Sequence, residues 1–165
     1  MRRAIHDQRG LTLAELLAAT AVIGIGLVAL ASAIPLASYG IQEGNQLSTA
    51  TFLANQRLEH VRNARWEGGA APVDSVGVSA SATAPPMAGG VATFPDESPM
   101  AAPYSDYNRR VRITDCGAGA GCAGVVSSEL RQVVVTVDYR PLTGVGVAAA
   151  AQRKGAVVSM YLSRR

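Results

Sequence analysis

The feature that most constrains this chain is the run Leu16–Ala37, 22 residues without a charge. As an α-helix it spans about 33 Å, close to the hydrocarbon thickness of a bilayer. A run of this kind does not belong in the core of a small soluble domain. Directly before it stands one carboxylate, Glu15. Charged side chains at the edge of or within spanning segments are costly and rare, so Glu15 is a candidate functional residue.

The ten residues ahead of Leu11 form a short basic leader. Arg2, Arg3 and Arg9 stand against Asp7, and Gly10 closes the leader. No lysine or arginine follows until Arg57. The positive-inside bias then places the N-terminus in the cytoplasm and the C-terminal body outside. An ordinary secretory signal is the alternative, since Ala31-Ser32-Ala33 resembles a small-residue cleavage site. However, the apolar run exceeds the usual h-region of about 7–15 residues. Neither Glu15 nor the Gly10–Leu11 junction is required by such a signal.

With 165 residues the chain has room for about one domain, and its globular part is small. The formal net charge is +3, and most of it sits in the leader. The body therefore lacks the basic stripe expected of a nucleic-acid-binding domain. Arg109, Arg110 and Arg112 form the best basic cluster, read here as an exposed strand face. There is no P-loop, no Ser/His/Asp set and no metal-spaced cluster. His6 lies in the leader, and His60 falls on the polar side of a helix. Neither a cofactor, a metal site nor an enzymatic activity is expected.

Cys116 and Cys122 flank Gly117–Gly121 with no histidine cluster near them, which argues against zinc. A disulfide formed in an oxidising compartment is the better reading, with two free thiols as the alternative. Closing so short a loop stabilises the fold by roughly 2–3 kcal/mol in the chain-entropy treatment.

Beyond the apolar run, Leu47, Ala50, Ala54, Leu58 and Val61 recur at spacings of three and four. This pattern predicts an amphipathic helix that continues the first one to Trp66, with Trp66 as a packing anchor. Gly24 and Gly26 permit close approach of neighbouring helices. Pro35 removes one backbone donor and predicts a local kink. Residues 68–103 are rich in Ala, Gly, Ser and Pro and predict a long loop with one short strand near Val91–Phe94. Asp96-Glu97 reads as a solvated turn. Strands are predicted at Arg109–Asp115, Leu130–Arg140 and Val157–Leu162, with a turn at Pro141–Gly144. Val133, Val135, Val137 and Tyr139 alternate toward one face. The expected fold is α+β: a long N-terminal hydrophobic helix whose C-terminal half packs on a small antiparallel sheet. The expected division is leader 1–10, transmembrane helix 11–38, amphipathic helix 39–66 and β head 67–165.

Arg9-Gly10-Leu11-Thr12-Leu13-Ala14-Glu15-Leu16-Leu17 resembles the prepilin leader of type IV pilins and type II secretion pseudopilins. The post-membrane segment Ala50–Trp66, with Leu53-Ala54, Leu58-Glu59 and Trp66, resembles the PilV-type minor pilins and the I-type minor pseudopilins. Leu11 stands where Phe is commonest in the family, and Ala14 where a larger apolar residue is frequent. The resemblance implies cleavage after Gly10 by a prepilin peptidase and N-methylation of Leu11. It also implies residence in the inner membrane among its lipids, with the head periplasmic, and then assembly with other pilin or pseudopilin subunits. Cleavage creates an ammonium at Leu11, four residues from Glu15 and on the same side of a helix. The two charges can neutralise each other within a subunit or across neighbours. A non-polymerising, single-pass periplasmic binding domain is the competing expectation.

Overall fold

The computed structural model describes residues 12–67, 74–141 and 153–165. The fold class is α+β. One helix, α1 (Leu13–Arg62), precedes six strands: β1 (Val78–Ser79), β2 (Pro86–Ala88), β3 (Val91–Ala92), β4 (Tyr107–Asp115), β5 (Leu130–Tyr139) and β6 (Lys154–Ser163). They form two three-stranded antiparallel sheets, β1-β2-β3 and β4-β5-β6. The chain divides into two compact units, Met1–Ile41 and Gln42–Arg165.

In the first unit, every described residue is exposed. Leu17, Ile25, Val28 and Leu36 all lie open, although an apolar surface of this extent is unstable in water. Helical hydrogen bonding satisfies the backbone internally, which is the condition for a helix in lipid. Ser32 and Ser38 return their hydroxyls to the carbonyls of Ala29 and Ile34. Pro35 lies inside a helix that continues on both sides of it.

The second unit holds the core. Ala50, Leu53, Ala54 and Val61 form the buried stripe of α1, and Leu58 is partly buried beside them. Leu47, expected in that stripe, is 45% exposed, and Leu53 takes a central place instead. The stripe meets Val111 and Ile113 of β4 and Val133, Val135, Val137 and Tyr139 of β5 in one cluster. The predicted strands are present: β4 and β6 extend beyond the expected bounds, and β5 ends one residue earlier, at Tyr139. β5 pairs with β4 from Tyr107↔Tyr139 to Asp115↔Arg131, and with β6 from Leu130↔Ser163 to Tyr139↔Lys154. The turn expected after Pro141 lies outside the described residues, as does part of the 68–103 segment.

Three expectations need correction. The 68–103 segment contains three short strands rather than one. Arg109 does not lie on an exposed face. It points inward beside Val111 and is buried. Its Nε donates to Glu97 Oε2 at 2.6 Å, and its Nη1 donates to the Leu53 carbonyl at 3.2 Å. Accordingly Glu97 is not a solvated turn residue. Arg57 also donates to it, and Glu97 and Arg109 exchange backbone hydrogen bonds. A charge placed this deep persists because the opposite charge and a helix carbonyl satisfy it. Burial opposes ionisation of Glu97, but hydrogen bonds from Arg109 and Arg57 outweigh it and hold the carboxyl below its ordinary range. Asp96 grips Arg112 with both oxygens, at 2.7 Å each, and those bonds lower its pKa against a smaller effect of burial.

α1 ends at Arg62, four residues short of Trp66. Trp66 is nonetheless an anchor, being buried with the Arg131 guanidinium 4.2 Å above its ring. Arg131 also donates to Asp74 at 2.8 Å. Asp74 in turn accepts the Val76 and Gly77 amides, each at 2.9 Å. The backbone N–H of Arg165 donates to the Trp66 carbonyl. One aromatic ring thus joins the end of the helix to β5 and the C-terminal residues.

Candidate functional site

The candidate site is the start of α1. Gly10 and Leu11 lie outside the described residues, so geometry begins at Thr12. The Glu15 backbone N–H donates to Thr12 Oγ1 at 3.2 Å, and the Thr12 backbone N–H donates to Glu15 Oε2 at 3.4 Å. This reciprocal pair is a capping box: the Thr12 hydroxyl satisfies one orphan donor at the helix end and the Glu15 carboxylate another. The Thr12 hydroxyl also lies 3.5 Å from Glu15 Oε2. Glu15 Oε1 has no hydrogen-bond partner among the described residues. A carboxylate in the first turn is further favoured by the helix dipole.

Sequence reasoning assigned Glu15 an assembly role and overlooked Thr12. The signal was present, since Thr-x-x-Glu before an apolar run is the capping-box pattern. The two roles are compatible. One carboxylate oxygen of Glu15 is engaged in the cap.

The residues beyond Glu15 present no polar competitor to an external partner. From Leu16 to Ala37 the side chains are apolar or small, all are exposed, and the Thr20 and Ser32 hydroxyls are turned back onto helix carbonyls. The helix is long and apolar enough to cross a membrane.

A comparison with protein families places the description "Prokaryotic N-terminal methylation motif" on residues 5–31. The chain carries that motif. The matched stretch contains Gly10, Leu11, Thr12 and Glu15 and most of the apolar run. It supports a type IV pilin-like protein and indicates a prepilin peptidase substrate of the pilin or pseudopilin type. Chains with this motif are structural subunits that assemble with other pilins. The α+β architecture, with one long apolar N-terminal helix and two small antiparallel sheets, is pilin-like. No curated protein and no solved structure matches the chain.

The second predicted site is the cysteine pair. Cys116 and Cys122 are joined, and both are buried. Cys116 N–H donates to the Leu130 carbonyl and the Cys116 carbonyl accepts the Ser127 N–H, while Cys122 and Val125 exchange backbone bonds. The loop therefore links the end of β4 to the start of β5. Gly121 is required there: its φ is +72°, and a Cβ would stand 2.1 Å from the Val125 carbonyl oxygen. Among the described residues no group of three or more potential metal ligands occurs.

Proposed function

We propose that this chain is a minor pilin or pseudopilin of the PilV or I-type kind. It is cut after Gly10, methylated on Leu11, held in the inner membrane with its head periplasmic, and then built into a filament. The observation that carries this reading is the methylation motif lying across the start of an apolar helix whose described residues are all exposed as far as Ile41. The resemblance of Ala50–Trp66 to the post-membrane helices of those subunits supports the finer assignment.

In this mechanism the helix serves two media in turn. In the bilayer, lipid covers the side chains of Leu13–Ile41. In the filament, the same side chains of neighbouring subunits replace lipid. The new ammonium at Leu11 needs a counter-charge in both settings, because an unpaired charge in an apolar medium costs several kcal/mol. Glu15, with Oε1 open, provides that counter-charge to its own Leu11 or to a neighbour's, and so sets the register of assembly. The head, Gln42–Arg165, provides partner specificity.

Intact-mass and N-terminal peptide analysis of the chain purified from filament-bearing cells tests this. The expected product begins at N-methylated Leu11. An unmethylated chain still carrying residues 1–10 in assembled material refutes the proposal; the same full-length chain found only in the membrane fraction favours a membrane-anchored domain that does not polymerise.

A further inference from the structure

The second unit holds its stretch of α1 in two different ways. From Ala50 onward the attachment is apolar, through Ala50, Leu53, Ala54 and Val61. From Gln42 to Thr49 no residue is buried. This stretch meets the larger sheet through polar groups. The Tyr139 hydroxyl donates to Glu43 Oε1 at 3.2 Å, and Lys154 Nζ lies 3.0 Å from the same oxygen. Gln46 Nε2 donates to the Arg140 carbonyl at 3.3 Å, and the Tyr107 hydroxyl donates to the Gln46 carbonyl at 3.5 Å. β4, β5 and β6 thus each supply a polar side chain to it.

At Glu43 two effects oppose each other. Its side chain is 25% exposed, and Oε1 is paired as described. Oε2 is buried, and among the described residues nothing donates to it. A buried carboxylate oxygen without a donor is costly. Opening this contact returns Oε2 to water, which offsets part of the loss of Tyr139 and Lys154.

The local sequence adds little to hold the helix closed. Gly44 is a poor helix former, and a Cβ there would meet nothing within 4 Å, so packing does not demand glycine at this position. Ser48 and Thr49 are also weaker helix formers than alanine. Thr49 and Thr51 return their hydroxyls to the Asn45 and Leu47 carbonyls, both at 2.9 Å, a pattern that loosens and bends helices. Weak intrinsic helicity without buried apolar side chains marks a segment that opens while the rest of a domain stays folded.

We propose that Gln42–Thr49 is a polar clasp: it releases from the sheet and unwinds as a unit while Ala50–Val61 stays packed. The clasp gives the helix a place to bend that leaves the core closed. This goes beyond the filament reading and does not depend on it.

Residue-resolved hydrogen exchange of the full chain in detergent micelles tests the clasp. After correction for intrinsic rates, the amides of Gln46, Leu47 and Ser48 should exchange at least a hundredfold faster than those of Ala54 and Leu58. Added urea should speed the Ala54 and Leu58 amides steeply and leave the first three nearly unchanged, because a local opening exposes little surface. Lys154→Met takes the cation from a partly buried carboxylate and should speed exchange at Gln46 and Leu47 at least threefold. Gly44→Ala should slow it about fivefold. Since it adds one methyl group in open space, Gly44→Ala remains a test if Lys154→Met fails to fold. The proposal is overturned if Gln46, Leu47 and Ser48 share the protection and urea dependence of Ala54, for α1 then opens only with the whole head. It is equally overturned if those amides exchange fast but a folded variant leaves their rate unchanged.

Discussion

The first and last parts of α1 share a helix and little else. Between Leu13 and Ile41 every side chain is exposed, leucine and isoleucine included. Between Gln42 and Arg62 a buried stripe appears: Ala50, Leu53, Ala54 and Val61 are buried, while Leu47, Phe52, Asn55, Glu59 and Arg62 are exposed. Uniform hydrophobicity suits a surface surrounded by lipid or by identical helices. A stripe suits a surface covered on one side only. Residue type is therefore a poor guide to stability in this helix, and position within it is decisive.

The largest expected effect on the comparison comes from two equivalent truncations. Leu53 is 1% exposed and Leu27 is 61% exposed. Leu53→Ala should lower the unfolding free energy of the head by about 3 kcal/mol, the loss of buried methyl groups plus the cavity they leave. Leu27→Ala should change it by less than about 0.5 kcal/mol. Thermal unfolding of the full chain in micelles, followed by near-ultraviolet circular dichroism at Trp66, measures both. Equal losses would mean that the early helix contributes to the head's stability.

A similar loss is expected from the polar side of the packed part. Glu97 neutralises Arg57 and Arg109, and Arg109 is 7% exposed. Glu97→Gln removes the charge while keeping the shape, leaving a buried guanidinium without its counter-ion. The expected cost is about 3 kcal/mol. Removing Arg109 as well, in Glu97→Gln/Arg109→Met, should recover part of it, because no guanidinium at position 109 is then left buried without a counter-charge. If the double variant is weaker than the wild type by the full sum of the two single-variant losses, the coupling is absent.

Acid acts on the same network with a smaller effect at mild pH. Asp74, Asp96 and Glu97 all have carboxyls held below their ordinary range by arginine partners against burial. A group whose folded-state pKa is lowered contributes stability above its unfolded pKa and loses it as pH falls through the folded value. Head stability should thus be flat near neutrality and decline below about pH 4. In Glu97→Gln the decline should be shallower. An identical acid slope in both proteins would remove Glu97 from the network. At the alkaline end, burial and the neighbouring Glu43 carboxylate push the Tyr139 hydroxyl up to about 12. Ionisation of Tyr139 therefore plays no part in this window.

Much of this was legible in the residues because period and burial agree. Alternation at Val133, Val135 and Val137 identified the inner face of β5, and three-four spacing found most of the helix stripe. The misses have physical causes. Leu47 fits the helical period, but at its position in α1 nearly half of it stays exposed. Arg109 and Glu97 were assigned to solvent because isolated charges belong there. Only their pairing across residues distant in sequence makes burial tolerable, and local pattern does not reveal such a pairing. β1 and β2, of two and three residues, are too short to show any period. At the candidate site, Glu15 was found by its charge against an apolar background. Its partner Thr12 was passed over because threonine is unremarkable in such a setting until its spacing to Glu15 is considered.

The smallest expected effect probes the exposed side of the packed half. Glu59 and Arg62 stand at i and i+3 with a closest approach of 3.4 Å, and their side chains are 56% and 61% exposed. The sequence spacing alone suggests a stabilising pair. Exposure argues for a small one, since water and salt screen both charges and each long side chain loses rotamer freedom when held in place. Glu59→Ala should therefore alter head stability by less than about 0.5 kcal/mol, and the difference should vanish at 1 M salt, where the screening length is about 3 Å. Alanine also has the higher helix propensity, which offsets part of the lost attraction. A loss near that of Glu97→Gln, persisting in high salt, would mean that the outer face of α1 is covered in the assembled protein. The division of this helix into a striped half and a uniformly open half would then hold for the isolated subunit alone.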